Sequence, residues 1–132
     1  MAISLMEAYM IEALKAHPYT YDEVVQHLQA GNIAVFKKNY SYDFTLLQQL
    51  FEQDETAFRE AYTDRYTVKY VTIKGVTSLL RMKFGIKAEQ YIELENGVNG
   101  LTVNEATEQE IRTMLSSNWT VTREGTQISI LA

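Results

Sequence analysis

The 132-residue chain is 46% apolar and 22% charged, with a net charge of −5 and no cysteine. That length and balance predict one compact domain, residues 1–132, with a core large enough to fold without staples, and they exclude a disordered chain. The missing cysteine excludes disulfides, thiolate metal sites and a thiol nucleophile, and the excess of acid excludes indiscriminate binding to nucleic acid or acidic membranes.

The first residues do not read as a signal peptide, because Glu7 and Glu12 interrupt the apolar run and no basic residue precedes it. No run reaches the roughly 20 apolar residues that a membrane helix requires. The expected setting is therefore the cytoplasm. In that setting the glycosylation patterns Asn39-Tyr40-Ser41 and Asn118-Trp119-Thr120 are chance matches.

Ser4-Leu5-Met6-Glu7 is a capping box and predicts a helix from Ser4, with Met6, Met10 and Ala13 at helical spacing. Pro18 should stop it at His17. Thr20-Tyr21-Asp22-Glu23 is a second capping box, opening a helix that buries Val24, Val25 and Leu28 and stops at Gly31. Ile33 to Phe36 reads as a short strand or a tether. Ser41 or Asp43 should cap a third helix with Phe44, Leu47 and Phe51 on one face. Asp54 should cap a fourth that buries Phe58, Ala61 and Tyr62.

The pattern changes at Tyr66. Thr67 to Ile73 is rich in β-branched residues and predicts a central, covered strand, with Val68 and Tyr70 on one face and Val71 and Ile73 on the other. Lys74 to Phe84 follows as a helix with Val76, Leu79 and Leu80 inward and Gly85 as its stop. Ile92 and Leu94 alternate with polar residues as in a half-buried strand. Asn96-Gly97 marks a hairpin turn, with Asn99-Gly100 as the rival register, and Leu101 and Val103 continue the return strand. Thr107-Glu108-Gln109-Glu110 is a third capping box, although Asn104 offers an earlier start. A last hairpin turns at Glu124-Gly125, setting Val121 opposite Ile128 and Trp119 opposite Ile130, with Thr120, Thr122, Gln127 and Ser129 on the polar face.

The fold class is therefore α+β. A helical part, residues 1–64, precedes a β-α-β-β-α-β-β segment, residues 65–132, that forms a mainly antiparallel sheet with helices on one face. The first six of those elements follow the ferredoxin-like order, and a winged-helix or β-grasp arrangement uses the same elements.

Chemistry is sparsely written in this chain. There is no G-x-S-x-G, no Walker loop, no G-x-G-x-x-G and no H-E-x-x-H. Neither His17 nor His27 has a second His or carboxylate at a helical ligand spacing that looks deliberate. Glu7, Glu23 and Glu110 are claimed by capping boxes, and Asp54 by a cap. Glu93 and Glu95 share a strand face about 7 Å apart, a spacing that suits a cation but more often marks a solvated edge. These residues imply no catalytic site, no metal and no cofactor.

The sharpest feature is the stretch Arg65 to Lys87, with six of the 12 basic residues and no acid. Its candidate binding surface comprises Arg65, Lys69, Lys74, Thr77, Ser78, Arg81 and Lys83. On a helix, Lys74, Thr77, Ser78 and Arg81 share one face that suits phosphates and base edges. The plain alternative is a solvated amphipathic helix. Tyrosines cluster as Tyr19/Tyr21, Tyr40/Tyr42 and Tyr62/Tyr66/Tyr70, a composition typical of protein interfaces and also of core rims. The reading that follows is a non-enzymatic regulatory or adaptor protein whose partner is another protein or a second copy. A nucleic-acid-binding regulator using the basic stretch is the alternative. An enzyme or ligand binder with a site assembled from distant residues is a third.

Overall fold

The structure, a computed structural model, describes residues 2–38 and 40–132. The sequon at Asn39 therefore lies outside the described residues. Contacts group the chain into two units, Ile3–Tyr66 and Thr67–Ala132, with Ala2 grouped with the second. The described residues form seven α-helices, a four-stranded antiparallel sheet and a small parallel pair, an α+β class. Among them no helix is long and apolar enough to cross a membrane.

After β1 (Ala2–Ile3), the first unit is helical: α1 (Leu5–Ala16), α2 (Tyr21–Gln29), α3 (Ala34–Lys37), α4 (Thr45–Gln53) and α5 (Glu55–Thr63). Both expected capping boxes form. Ser4 N–H donates to Glu7 Oε1 at 2.8 Å and Glu7 N–H to Ser4 Oγ at 3.1 Å. Thr20 and Glu23 make the same exchange at 2.9 and 3.2 Å. Asp54 caps α5 by accepting from Ala57 N–H at 3.0 Å. Each cap satisfies helix-end donors that would otherwise have no partner.

Two expectations need correction in this unit. Ile33 to Phe36 is neither a strand nor a tether but contributes to the short helix α3, because the fully buried Phe36 ring anchors it. Helix α4 has Phe44 as its N-cap with no side-chain bond, although the Asp43 carboxylate does accept from Thr45 N–H at 3.2 Å. The core is a run of rings. Phe36 meets Tyr19, His27 and Phe44 at centroid distances of 5.4, 5.5 and 5.4 Å, and Phe51 meets Phe58 at 5.8 Å.

The second unit contains β2 (Thr67–Val68), α6 (Ile73–Phe84), a 3-10 turn (Ala88–Gln90), β3 (Ile92–Leu94), β4 (Gly97–Thr102), α7 (Glu105–Met114), β5 (Thr120–Glu124) and β6 (Gln127–Leu131). The sheet order is β3-β4-β6-β5, every neighbour antiparallel. The long central strand expected over Thr67 to Ile73 does not form. Only Thr67 and Val68 are extended into a strand, and β2 pairs with β1 rather than entering the sheet. Beyond Val68 the backbone of Val71 is claimed by side chains. Val71 N–H donates to Ser116 Oγ at 3.1 Å, Val71 C=O accepts from Trp119 Nε1 at 2.8 Å, and Thr72 becomes the N-cap of α6. With those groups satisfied there is no ladder left to build. Val68 and Val71 are both fully buried while Tyr70 is 65% exposed, so the expected alternation fails too. The ferredoxin-like order thus lacks its first sheet strand.

The two hairpins pin the sheet. Gly97 stands at the first, and a Cβ there would fall 1.9 Å from the Ile130 carbonyl oxygen, so the close approach of β4 and β6 demands glycine. Asn99-Gly100 is not a rival turn but a bulge. Gly100 is left-handed at φ +73°, and the register shifts between Val98 and Leu101. That extra residue is why Val98 and Leu101, three apart, both point into the core. The last hairpin pairs Val121 with Ile130 and Arg123 with Ile128. The turn therefore falls at Gly125 and Thr126, one residue later than expected, and every pair moves by two. A shift of two preserves the faces, so Val121, Ile128 and Ile130 are buried as expected. Trp119 leaves the ladder for Val71.

Helix α7 begins from Asn104, whose Oδ1 accepts from Thr107 N–H at 2.8 Å, not from Thr107. The shift frees Glu110 from capping and puts Glu108 inward. Glu108 receives Arg112 Nε at 2.9 Å and also the Arg123 guanidinium. Arg123 further donates to Val103 C=O at 2.7 Å and Gly125 C=O at 2.9 Å, and Arg112 to Val121 C=O at 2.8 Å. One carboxylate thereby ties α7 to the last hairpin and to the residue just after β4.

Candidate functional site

Helix α6 is fixed at both ends. Thr72 Oγ1 accepts from Gly75 N–H at 3.1 Å, and Gly85, left-handed at φ +67°, closes it with Ile86 N–H donating to Leu80 C=O at 2.9 Å. Gly75, Val76, Leu79 and Leu80 are buried, which leaves Lys74 and Arg81 exposed and Thr77 and Ser78 half-buried.

Of the predicted surface residues, Thr77, Ser78 and Arg81 come together. They line a groove of about 160 Å³ with Ile86, Ala88, Tyr91 and Glu93. Lys74 is one helical turn away, its carbonyl accepting from Thr77 Oγ1 at 3.0 Å. Lys83 points elsewhere: its ammonium lies 3.3 Å from Glu110 and 6.0 Å from the Phe84 ring centre, with its side chain largely buried. Lys69 is exposed in the second unit, whereas Arg65 belongs to the first. The basic stretch is thus divided rather than gathered.

The groove's far wall is β3, the outermost strand on its side of the sheet. Tyr91 and Glu93 face the groove, and the residues between and after them face the other way. Ile92 is 60% exposed and Leu94 37%, so β3 is a strand as expected but not a half-buried one. Burial raises the Tyr91 hydroxyl above the ordinary tyrosine range. The Glu93 carboxylate adds to that rise and the Arg81 charge opposes it. The hydroxyl therefore stays protonated and can donate or accept. Glu95 lies in the turn beyond the strand, so it does not share a strand face with Glu93.

A groove of this volume is well short of the roughly 300–1,000 Å³ that encloses a small-molecule ligand. It has room for one side chain of a larger partner. A wider hollow of about 370 Å³ lies over the loop of Lys37 and Tyr40–Asp43, and no predicted site residue lines it.

The remaining candidates are placed as packing groups. His17 stacks on Tyr19 at 4.1 Å, and His27 meets Phe36 edge-on. Tyr62 donates to Tyr19 C=O at 2.6 Å, and Tyr66 donates to the buried Glu12 carboxylate at 2.6 Å. Of the Tyr62/Tyr66/Tyr70 cluster only Tyr70 is exposed. Among the described residues no group of three or more His, Asp or Glu is placed to hold a metal ion.

The sequence reasoning missed Tyr91 and the outward turn of Ile92 and Leu94. The signal was positional: an apolar strand is covered only if it is central, and the acidic pair Glu93 and Glu95 is the one local mark of an edge beside Ile92 and Leu94. No family model, curated protein or solved structure matches this chain.

Proposed function

We propose that this protein is a non-enzymatic regulatory or adaptor protein that binds another protein through the β3 edge of its second unit. The observation that carries this reading is the exposure of Ile92 and Leu94 beside a groove that offers hydroxyls and both signs of charge. Exposed apolar side chains rimmed by polar groups favour association. The reading assumes the cytoplasm as the working compartment.

The test is an affinity capture from native lysate, with nuclease added, comparing the wild type with an Ile92→Ser/Leu94→Ser double variant. Proteins retained by the wild type and lost from the double variant are expected. Identical captures by both would remove this edge from the argument.

A nucleic-acid regulator is the second reading, supported by the exposure of Lys74 and Arg81 on one helix face. It is weakened because Lys83 is paired with Glu110 and because Glu93 lines the same groove, where it would repel phosphate. Under this reading, replacing Lys74 and Arg81 by alanine lowers affinity for a mixed-sequence oligonucleotide and flattens its salt dependence.

A further inference from the structure

We infer that β3 accepts an extended segment of another protein as an added strand, and that this segment carries a lysine or arginine between two apolar residues. The inference rests on the adaptor reading and specifies its mode of binding.

Three observations converge. First, β3 is the outermost strand of the sheet, and an edge strand presents backbone donors and acceptors to a partner. The pairing Leu94↔Gly97 leaves a two-residue turn, so Leu94 and Ile92 direct their backbone groups to β4 and Glu93 directs its groups outward. Second, the edge has a surface on both sides. Ile92 and Leu94 stand on one face, and the groove lies on the other, walled by Arg81 on the helix side and Glu93 on the strand side. An added strand would set alternate side chains onto these two surfaces, apolar against Ile92 and Leu94, polar into the groove. The opposite edge, β5, differs: its outward face carries Thr120 and Thr122.

Third, charge selects the occupant. Glu93 is the central residue of β3 and Glu95 follows it, with no base in the strand or its turn. A partner residue directly opposite Glu93 meets that carboxylate first, which favours a cation. A second copy of this chain fits poorly, because self-pairing centred on the strand sets Glu93 against Glu93, and like charges directly opposite are destabilising.

The experiment uses the full chain and a phage-displayed library of random ten-residue peptides, followed by titration with one enriched synthetic peptide. Enriched peptides are expected to share an apolar–basic–apolar alternation. The synthetic peptide should bind at least about tenfold more weakly to Glu93→Lys, which reverses the charge, and more tightly to Arg81→Ala, which removes the competing cation. Hydrogen exchange on the wild type supplies a readout that needs no variant: peptide binding should slow the Glu93 amide. Peptides lacking the alternation, an unchanged Glu93 amide, or a dimer that protects the same amide would each overturn the inference. If no peptide is enriched while Ile92 and Leu94 still govern the lysate capture, strand addition is wrong and the adaptor reading stands. If neither binds, both fall.

Discussion

Residues 3–66 and residues 67–132 hold their cores together by different means. In the first, Phe36 is fully buried among three rings, and the polar groups inside include the Glu12 carboxylate and two tyrosine hydroxyls, Tyr62 on a carbonyl and Tyr66 on Glu12. In the second, aliphatic residues from β4, β5 and β6 fill the core, and Glu108 with Arg112 and Arg123 ties helix to sheet. Ring packing depends on volume, with a smaller preference for edge-on or offset geometry, and on no protonation state. An ionic junction depends on the protonation of one carboxylate. The comparison therefore predicts different weaknesses.

The largest expected effect is at Phe36. Truncation to alanine removes the ring that meets Tyr19, His27 and Phe44 and leaves a cavity, a loss of about 3–5 kcal/mol. Loss of that size is a large part of the stability of a domain this small. Urea unfolding followed by hydrogen exchange should show amides of residues 3–66 opening far earlier. A loss below about 1 kcal/mol would mean that the rings are not the keystone of this unit.

The second prediction separates the units by pH. Bonds from Arg123 and then Arg112 hold the Glu108 carboxyl below the usual glutamate range. A lowered folded value contributes stability above the unfolded value, and that contribution is lost as pH falls through the folded one. In the first unit, burial raises the Tyr62 hydroxyl, and the charges of Glu12 and Glu23 raise it further. A raised folded value contributes stability below the ordinary tyrosine range, and that contribution is lost at higher pH. Acid should thus loosen the junction of α7 with the last hairpin, beside a smaller loss from the exposed Glu23 and Asp43 of the first unit, and alkali should open amides of residues 3–66 first, because burial raises Tyr62 far more than Tyr91. Glu108→Gln should blunt the acid response. Tyr62→Phe should blunt the alkaline one, at a cost of about 0.5–1.5 kcal/mol for the lost bond to Tyr19. The same unit opening at both extremes would break the comparison.

The contrast also explains what the sequence could state. Helix starts were legible at the local caps Ser4 with Glu7, Thr20 with Glu23, and Asp54, whereas the equally local Thr107–Glu110 box lost to Asn104. The faces of the last hairpin were legible because parity survives a shift of two. What failed was decided at long range. Thr67 to Ile73 has every local mark of a strand, yet Ser116 and Trp119, more than forty residues on, take the backbone of Val71. Glu108 gave one usable sign. Arg123 shares the parity of Val121, so a charge was bound for the buried face and had to find an acid. At the candidate site the helix face of Thr77, Ser78 and Arg81 was legible from spacing alone. The strand opposite it, and the diversion of Lys83 to Glu110, required the packing of α6, β3 and α7.

The smallest predicted effect bears most on the site. At 60% exposure Ile92 removes little apolar surface from water, and its strand is held by the pairing Ile92↔Asn99 and by the turn after Leu94. Ile92→Ser should therefore change unfolding stability by no more than about 0.5 kcal/mol, as surface replacements away from caps and cores do. Thermal unfolding of the purified variant checks this. A larger loss would mean that Ile92 is needed for folding, and its exposure would then say nothing about a partner. A negligible loss leaves a large apolar side chain held in water on an edge strand without helping the fold. Edge strands normally carry charge to avoid that exposure, and here Glu93 supplies it on the groove side only, leaving the side of Ile92 and Leu94 apolar. An apolar residue that the fold does not need, at the position where pairing with another chain is easiest, is what a binding edge requires.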